Sequence, residues 1–202
     1  MSRIDADPDL QVERLPRFEF LAGRLSLDFC NSHSRATGGD RLLDEAGLAS
    51  WAARCGRPLA AIPSAQEWRS CLQLRDRLCR VFDALIREEA PDRGDLDALA
   101  AAALPLAAPA LRWDKTARRA IAVTPPDSLQ QLCRDIAADA LDLLTGDQVE
   151  RIKRCPSETC HWFFFDSSRN GKRRWCAMAD CGTRAKVRQY RARRPTITDA
   201  AF

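Results

Sequence analysis

The 202-residue sequence predicts a mainly α protein with a small β element (α+β), built as a helical body followed by a small cysteine-rich module. Three observations predict it. Before residue 150, apolar residues recur every three or four positions over two long stretches, the period of a helix with one buried face. Two short β-prone runs interrupt them. Near the carboxyl end, four of the nine cysteines stand in two C-x4-C pairs separated by fifteen residues. The expected division is a body over residues 1–150 and a module over residues 151–195.

Taken in order, a short strand is expected near residues 17–21. Next comes Phe20 to His33, where Asp28 interrupts Leu25, Leu27 and Phe29, and Asn31 follows. A carboxylate inside an apolar run must face solvent, pair, or accept hydrogen bonds, because burying it alone is costly. Capping a nearby turn and binding a small ligand both satisfy that demand, and Asp28 and Asn31 are the candidates to border a ligand pocket. Short helices are expected near residues 41–54 and 94–104. The helix from Ser64 to Glu89 carries Trp68, Cys71, Leu72, Leu78, Phe82, Leu85 and Ile86 on one side, with Ser64 and Glu67 as a capping box. Trp68 and Phe82 share the stripe of Leu and Ile, so they read as core. Two strands, Ala110–Trp113 and Arg119–Thr124, join around Asp114 and Lys115. A last body helix runs from Ser128 to Leu144 and stops at Gly146.

Cys155, Cys160, Cys176 and Cys181 can close around one ion as a tetrahedral zinc site with no open position, a structural rather than a catalytic arrangement. Disulfides are the competing use. Residues 1–20 are charged and lack an apolar segment of the kind an export signal carries, so a cytoplasmic, reducing location is expected, where clustered cysteines are metal ligands. His161, next to Cys160, is an alternative ligand for a Cys3His site. The other five cysteines sit singly among apolar residues and read as core thiols. No run of eighteen apolar residues occurs, so no membrane span is expected.

Charge divides the chain the same way. Residues 1–150 hold 19 basic and 24 acidic side chains, a balance of −5, whereas residues 151–194 hold 13 and 3, a balance of +10. In the module, Pro156 follows the first cysteine. Trp162 to Phe165 is β-prone, Asn170-Gly171 is a turn signal, and Trp175 leads a returning strand to the second cysteine pair. Knuckle, hairpin, knuckle and helix is the order of a treble-clef-like zinc finger, with Trp162, Phe164 and Trp175 as its small core. Thr183 to Arg194 then forms a helix with Arg184, Arg188 and Arg191 on one side and Lys186 and Arg193 opposite. With the acid-free loop from Arg169 to Arg174, it makes a surface suited to phosphates. Arg173, Arg174, Arg184, Lys186, Arg188 and Arg191 are the candidate nucleic-acid contacts.

These residues resemble a known pairing. Cys155, Cys160, Trp162, Asp166, Arg169, Asn170, Gly171, Arg173, Arg174, Trp175, Cys176, Met178, Cys181, Gly182, Arg184, Lys186 and Arg188 match the pattern of the CGNR-type zinc finger. Thr183 stands where the family's name-giving asparagine would be, and is expected still to cap the helix start. Leu27-Asp-Phe-Cys-Asn31 resembles the L-D-F-x-N signature that opens the helical ABATE domain, which precedes that finger. The resemblance implies a bacterial, stress-responsive transcription regulator whose helical part senses a small-molecule effector.

The expected function is therefore a zinc-dependent, DNA-binding transcription regulator. One rival is an RNA- or single-strand-binding finger leaning on Trp162 or Trp175. Another is an enzyme stapled by a structural finger, which two histidines, no phosphate-cradling glycine loop and no Ser/Cys nucleophile motif argue against. A homodimer would double the grip of one small finger, although no heptad repeat encodes it.

Overall fold

The computed structural model describes residues 18–34, 36, 38–104, 110–123 and 128–193. Arg17, Thr124, Arg194 and Pro195 of the expected elements lie outside these. The order is α1 (Leu25–Cys30), α2 (Glu45–Arg54), α3 (Ala65–Ile86), α4 (Arg93–Ala102), β1 (Ala110–Asp114), β2 (Arg119–Val123), α5 (Leu129–Thr145), β3 (Ile152–Arg154), β4 (Phe163–Phe165) and α6 (Thr183–Arg193).

α3 forms where its capping box demands. Ser64 accepts from the Glu67 amide while the Glu67 carboxylate accepts from Ser64, and the buried face runs through Cys71, Leu74, Leu78, Val81 and Phe82. Likewise Ser128 caps α5 by accepting from the Gln131 amide. β1 and β2 form the expected antiparallel ribbon, with Asp114 opposite Arg119. The Asp114 carboxylate accepts from the Thr116 and Ala117 amides, both at 2.9 Å, and so shapes the turn.

One expectation fails: no strand forms over Phe18–Leu21. Leu25–Cys30, which carries no local cap, is a helix. The cap of α1 comes from far along the chain. Asp139 of α5 accepts from the Ser26 amide at 2.9 Å and from its hydroxyl at 2.5 Å, and pairs with Arg24 at 2.8 Å. A six-residue helix is unstable alone; this one is held by a carboxylate 113 positions away.

The body and the cysteine module meet across the β3–β4 ribbon. Successive strand side chains point to opposite faces, and here the two faces serve different cores. Ile152 and Phe163 are buried in the body's hydrophobic core with Phe165 packed against it, while Phe164 is buried beside the four cysteines. Phe82 of α3 meets Phe163 edge-on, ring centroids 5.8 Å apart. Arg154, on the body face, pairs with Asp83 of α3 and lies over the Phe163 ring.

Both edges of β4 are also occupied. β3 takes one, in the register Lys153 opposite Phe164. The body takes the other: the Asn31 carboxamide donates to the Phe163 carbonyl and accepts from the Phe163 amide, each at 2.9 Å, and the Phe165 amide donates to the Ala22 carbonyl at 2.8 Å. Asn31 thereby imitates a neighbouring strand. Replacing Asn31 by alanine strands a buried amide and carbonyl, so a loss of about 2–4 kcal/mol of stability is expected from denaturant unfolding.

Candidate metal centre and nucleic-acid interface

Full occupation of β4 overturns one sequence expectation. A returning strand through Trp175 has no free edge to join, and none forms there. The arms flanking the first knuckle are β3 and β4 themselves. The Cys155 amide donates to the Trp162 carbonyl at 2.8 Å and the Cys160 amide to the Ser157 carbonyl at 2.9 Å, which closes the loop between the two cysteines. His161, next in line, takes a left-handed conformation, φ 57°.

Beyond β4, the chain curls around Asp166 instead of running beside the ribbon. This carboxylate, wholly shielded from solvent, accepts from Lys153 at 2.6 Å, from the Ser168 amide and hydroxyl at 3.0 and 2.5 Å, and from the Arg173 amide at 2.9 Å. Burial by itself would raise its pKa, but these donors hold it well below the ordinary carboxylate range. The turn at Asn170-Gly171 sits on this loop, with Gly171 at φ 63° supplying the left-handed residue.

The loop delivers Cys176, and a π-helical turn, Met178–Gly182, delivers Cys181. All four sulfurs are buried and lie within 4.8 Å of one another. Cys160 and Cys176 are 3.5 Å apart, and Cys176 and Cys181 are 3.7 Å apart. Four sulfurs at about 2.3 Å from a tetrahedral zinc stand about 3.8 Å from each other, so the donor set and its spacing both fit one structural zinc ion. His161 is not a member of the cluster. The crowding shows in the thiols. Accepting from Cys176, and against the opposing effect of burial, Cys160 falls to about 6; Cys176, as the donor and then by burial, is pushed up. A cation supplies what those protons supply poorly, and would leave the cluster with a charge near −2. Trp162 and Phe164 are buried against the sulfurs with Trp175 packed alongside, as the sequence suggests.

Gly182 is fixed by approach. A β-carbon there would lie 2.4 Å from the Met178 sulfur and 3.2 Å from Trp175. Thr183 does not act as an N-cap: its hydroxyl donates to the Met178 carbonyl at 3.1 Å, because α6 continues from the π turn and starts without a free end.

The candidate nucleic-acid contacts divide. Arg173 is committed to the scaffold: its guanidinium donates to the carbonyls of Trp175, Phe165, Leu21 and Cys176 and lies 4.8 Å over the Phe164 ring. Arg184 reaches back to the Cys181 sulfur at 3.1 Å and Asp180 at 3.2 Å, bringing positive charge to the metal cluster. Arg174 is exposed over Trp175. Lys186, Arg188 and Arg191 are exposed on α6, a helix that buries no residue at all.

The two candidate ligand residues are not brought together. Asp28 lines a shallow hollow of about 340 Å³ with Phe20, Arg24, Arg54 and Cys55, which Asn31 does not line. A larger hollow of about 770 Å³ lies where the end of α3 meets the module, between Leu85, Ile86, Phe164 and Arg174. Burial, opposed by the Ala22 amide donating at 3.0 Å, raises the Asp28 carboxyl to about 6. What the sequence hid was the structural role of Asn31 and Arg173; both follow from partners at least a domain away in sequence for Asn31, and from backbone carbonyls for Arg173, which no side-chain pattern announces.

The pattern of the CGNR zinc finger matches residues 151–194. A second family, ABATE, described as "Putative stress-induced transcription regulator", matches residues 23–147, more than half of the chain. A comparison with curated proteins finds no match.

Because the raised Asp28 carboxyl binds its proton more tightly when folded, the contribution of Asp28 to stability falls as pH rises from about 4 through about 6. Asp28→Asn removes that dependence. The variant is expected to equal wild type near pH 4 and to exceed it by roughly 3 kcal/mol above pH 6, read from denaturant midpoints across the range.

Proposed function

From the premise that this chain belongs to the ABATE family and ends in a CGNR zinc finger, we propose that it is a zinc-dependent, DNA-binding transcription regulator rather than an enzyme. The observation that carries this reading is α6. Arg184, Lys186, Arg188, Arg191 and Arg193 put five cations and no acid on eleven residues that bury nothing. An isolated helix of that length is marginal, and its like charges repel. Phosphates would relieve both.

The arrangement of the cations favours duplex DNA in particular. By helical phase, Arg184, Arg188 and Arg191 form one edge and Lys186 and Arg193 the other. Thr183, Val187 and Tyr190 fall between the edges; Val187 is 42 % and Tyr190 60 % exposed. A helix lying in a major groove meets a phosphate wall on each side and base edges, including thymine methyls, beneath. Ala185, the half-buried residue of the opposite strip, faces back to the finger. Arg174 and Lys172 extend the cationic surface from the loop below. A single-strand binder needs open aromatic faces. Trp162 is buried and covered by Arg41 at 5.2 Å, and Trp175 is half-buried beneath Arg174, so neither of the two tryptophans on which that rival leans offers an open face.

The test is a salt titration of the zinc-loaded full chain on duplex, single-stranded and RNA probes. Duplex is expected to bind tightest, with affinity falling steeply as salt rises. Replacing Lys186, Arg188 and Arg191 together by alanine should lower the slope of log K against log salt by roughly 2–3. A flat salt response, or unchanged slope in the triple variant, contradicts the reading.

A further inference from the structure

Outside the metal cluster, two thiols from different helices touch. Cys71 of α3 and Cys133 of α5 have their sulfurs 3.4 Å apart, 62 positions apart in sequence. Cys71 is 1 % exposed, within the body core, whereas Cys133 is half-buried and opens towards solvent. A disulfide bond is about 2.05 Å long, so the sulfurs need to close by little more than an ångström.

We propose that Cys71 and Cys133 form a reversible oxidation site, a dithiol that hydroperoxides convert to a disulfide joining α3 to α5. The inference is independent of the nucleic-acid reading. Cys133, the accessible partner, attacks one peroxide oxygen as its thiolate. The O–O bond breaks, the other oxygen leaves as water or an alcohol with the proton, and Cys133 becomes a sulfenic acid. The Cys71 sulfur then attacks the Cys133 sulfur; the S–O bond breaks and the hydroxyl departs as water with the Cys71 proton. Two thiols lose two electrons and the hydroperoxide gains them.

The division of labour follows from the surroundings. Hydrogen bonding to Cys133 and burial together push the Cys71 thiol up, so Cys71 is not the thiol that meets an oxidant from solvent; its resolving role rests on its sulfur lying 3.4 Å from that of Cys133. The cross-link would enclose α4 and the β1–β2 ribbon in a loop long enough to constrain the unfolded chain strongly. It would also stiffen α3, whose carboxyl-terminal half holds the finger through Phe82 and Asp83. The four module cysteines answer to a metal; this pair answers to redox state.

The test exposes zinc-loaded full chain to hydrogen peroxide, blocks free thiols in acid and maps peptides by mass. The expected product links the Cys71 peptide to the Cys133 peptide, lighter by two hydrogens, with zinc retained, and dithiothreitol reverses it. Thermal unfolding of oxidised protein should rise by at least about 5 °C over reduced protein, a gain absent in Cys133→Ser and in Cys71→Ala. Recovery of both residues as free thiols at a peroxide dose that oxidises Cys55 or Cys79 overturns the proposal. So does a Cys71–Cys133 link that appears only after zinc is lost.

Discussion

The rest of the structure depends on the two faces of the β3–β4 ribbon. A strand cannot bury one residue without turning the next the other way, and the run Phe163-Phe164 exploits this: one ring enters the body core, the other backs the sulfurs. Each fully buried phenylalanine contributes about 1.5–3 kcal/mol, and neither core could hold its ring if the ribbon were displaced. The body and the finger are therefore neighbours on a shared wall and not beads on a linker. A metal module of some forty residues, which draws on the order of 10–16 kcal/mol from zinc in comparable peptides, lends part of that energy to the body through this wall.

Polar groups fix how the wall is mounted. Asn31 and Ala22 complete the body-side edge of β4. Asp166 gathers Lys153, Ser168 and the Arg173 amide into a loop that sets where Cys176 arrives. Arg173 ties that loop to Leu21 of the body and to Cys176 of the metal site at once. The direction in which α6 leaves is the sum of these contacts, since its launching turn contains Cys181 and none of its own residues is buried. An exposed cationic helix can be aimed only if its base is rigid, and four sulfurs around one ion make it so.

Much of this was legible in the sequence because the signals are local. The capping pairs Ser64/Glu67 and Ser128/Gln131 announce α3 and α5, two β-prone runs announce β1–β2, and paired cysteines announce the zinc site. What stayed hidden rests on partners far away in sequence. α1 is capped by Asp139 and not by its own flank. β4 pairs with β3, upstream of the first cysteine, because Asn31 closes its other edge, so Trp175 leads no strand. Arg173 has the appearance of a phosphate contact, in a run of basic residues, but its donors go to backbone carbonyls. Charge alone cannot distinguish an arginine that faces outward from one that braces a loop.

If the ribbon transmits the metal's stabilisation, the body must feel zinc. Amide hydrogen exchange of the full chain, loaded with zinc and stripped of it, tests this directly. The account predicts that stripping exposes not only the finger, with the Phe163 and Phe165 amides that are bonded to Asn31 and Ala22, but also α1 of the body. Protection lost in residues 151–193 alone, with α1 unchanged, would contradict it.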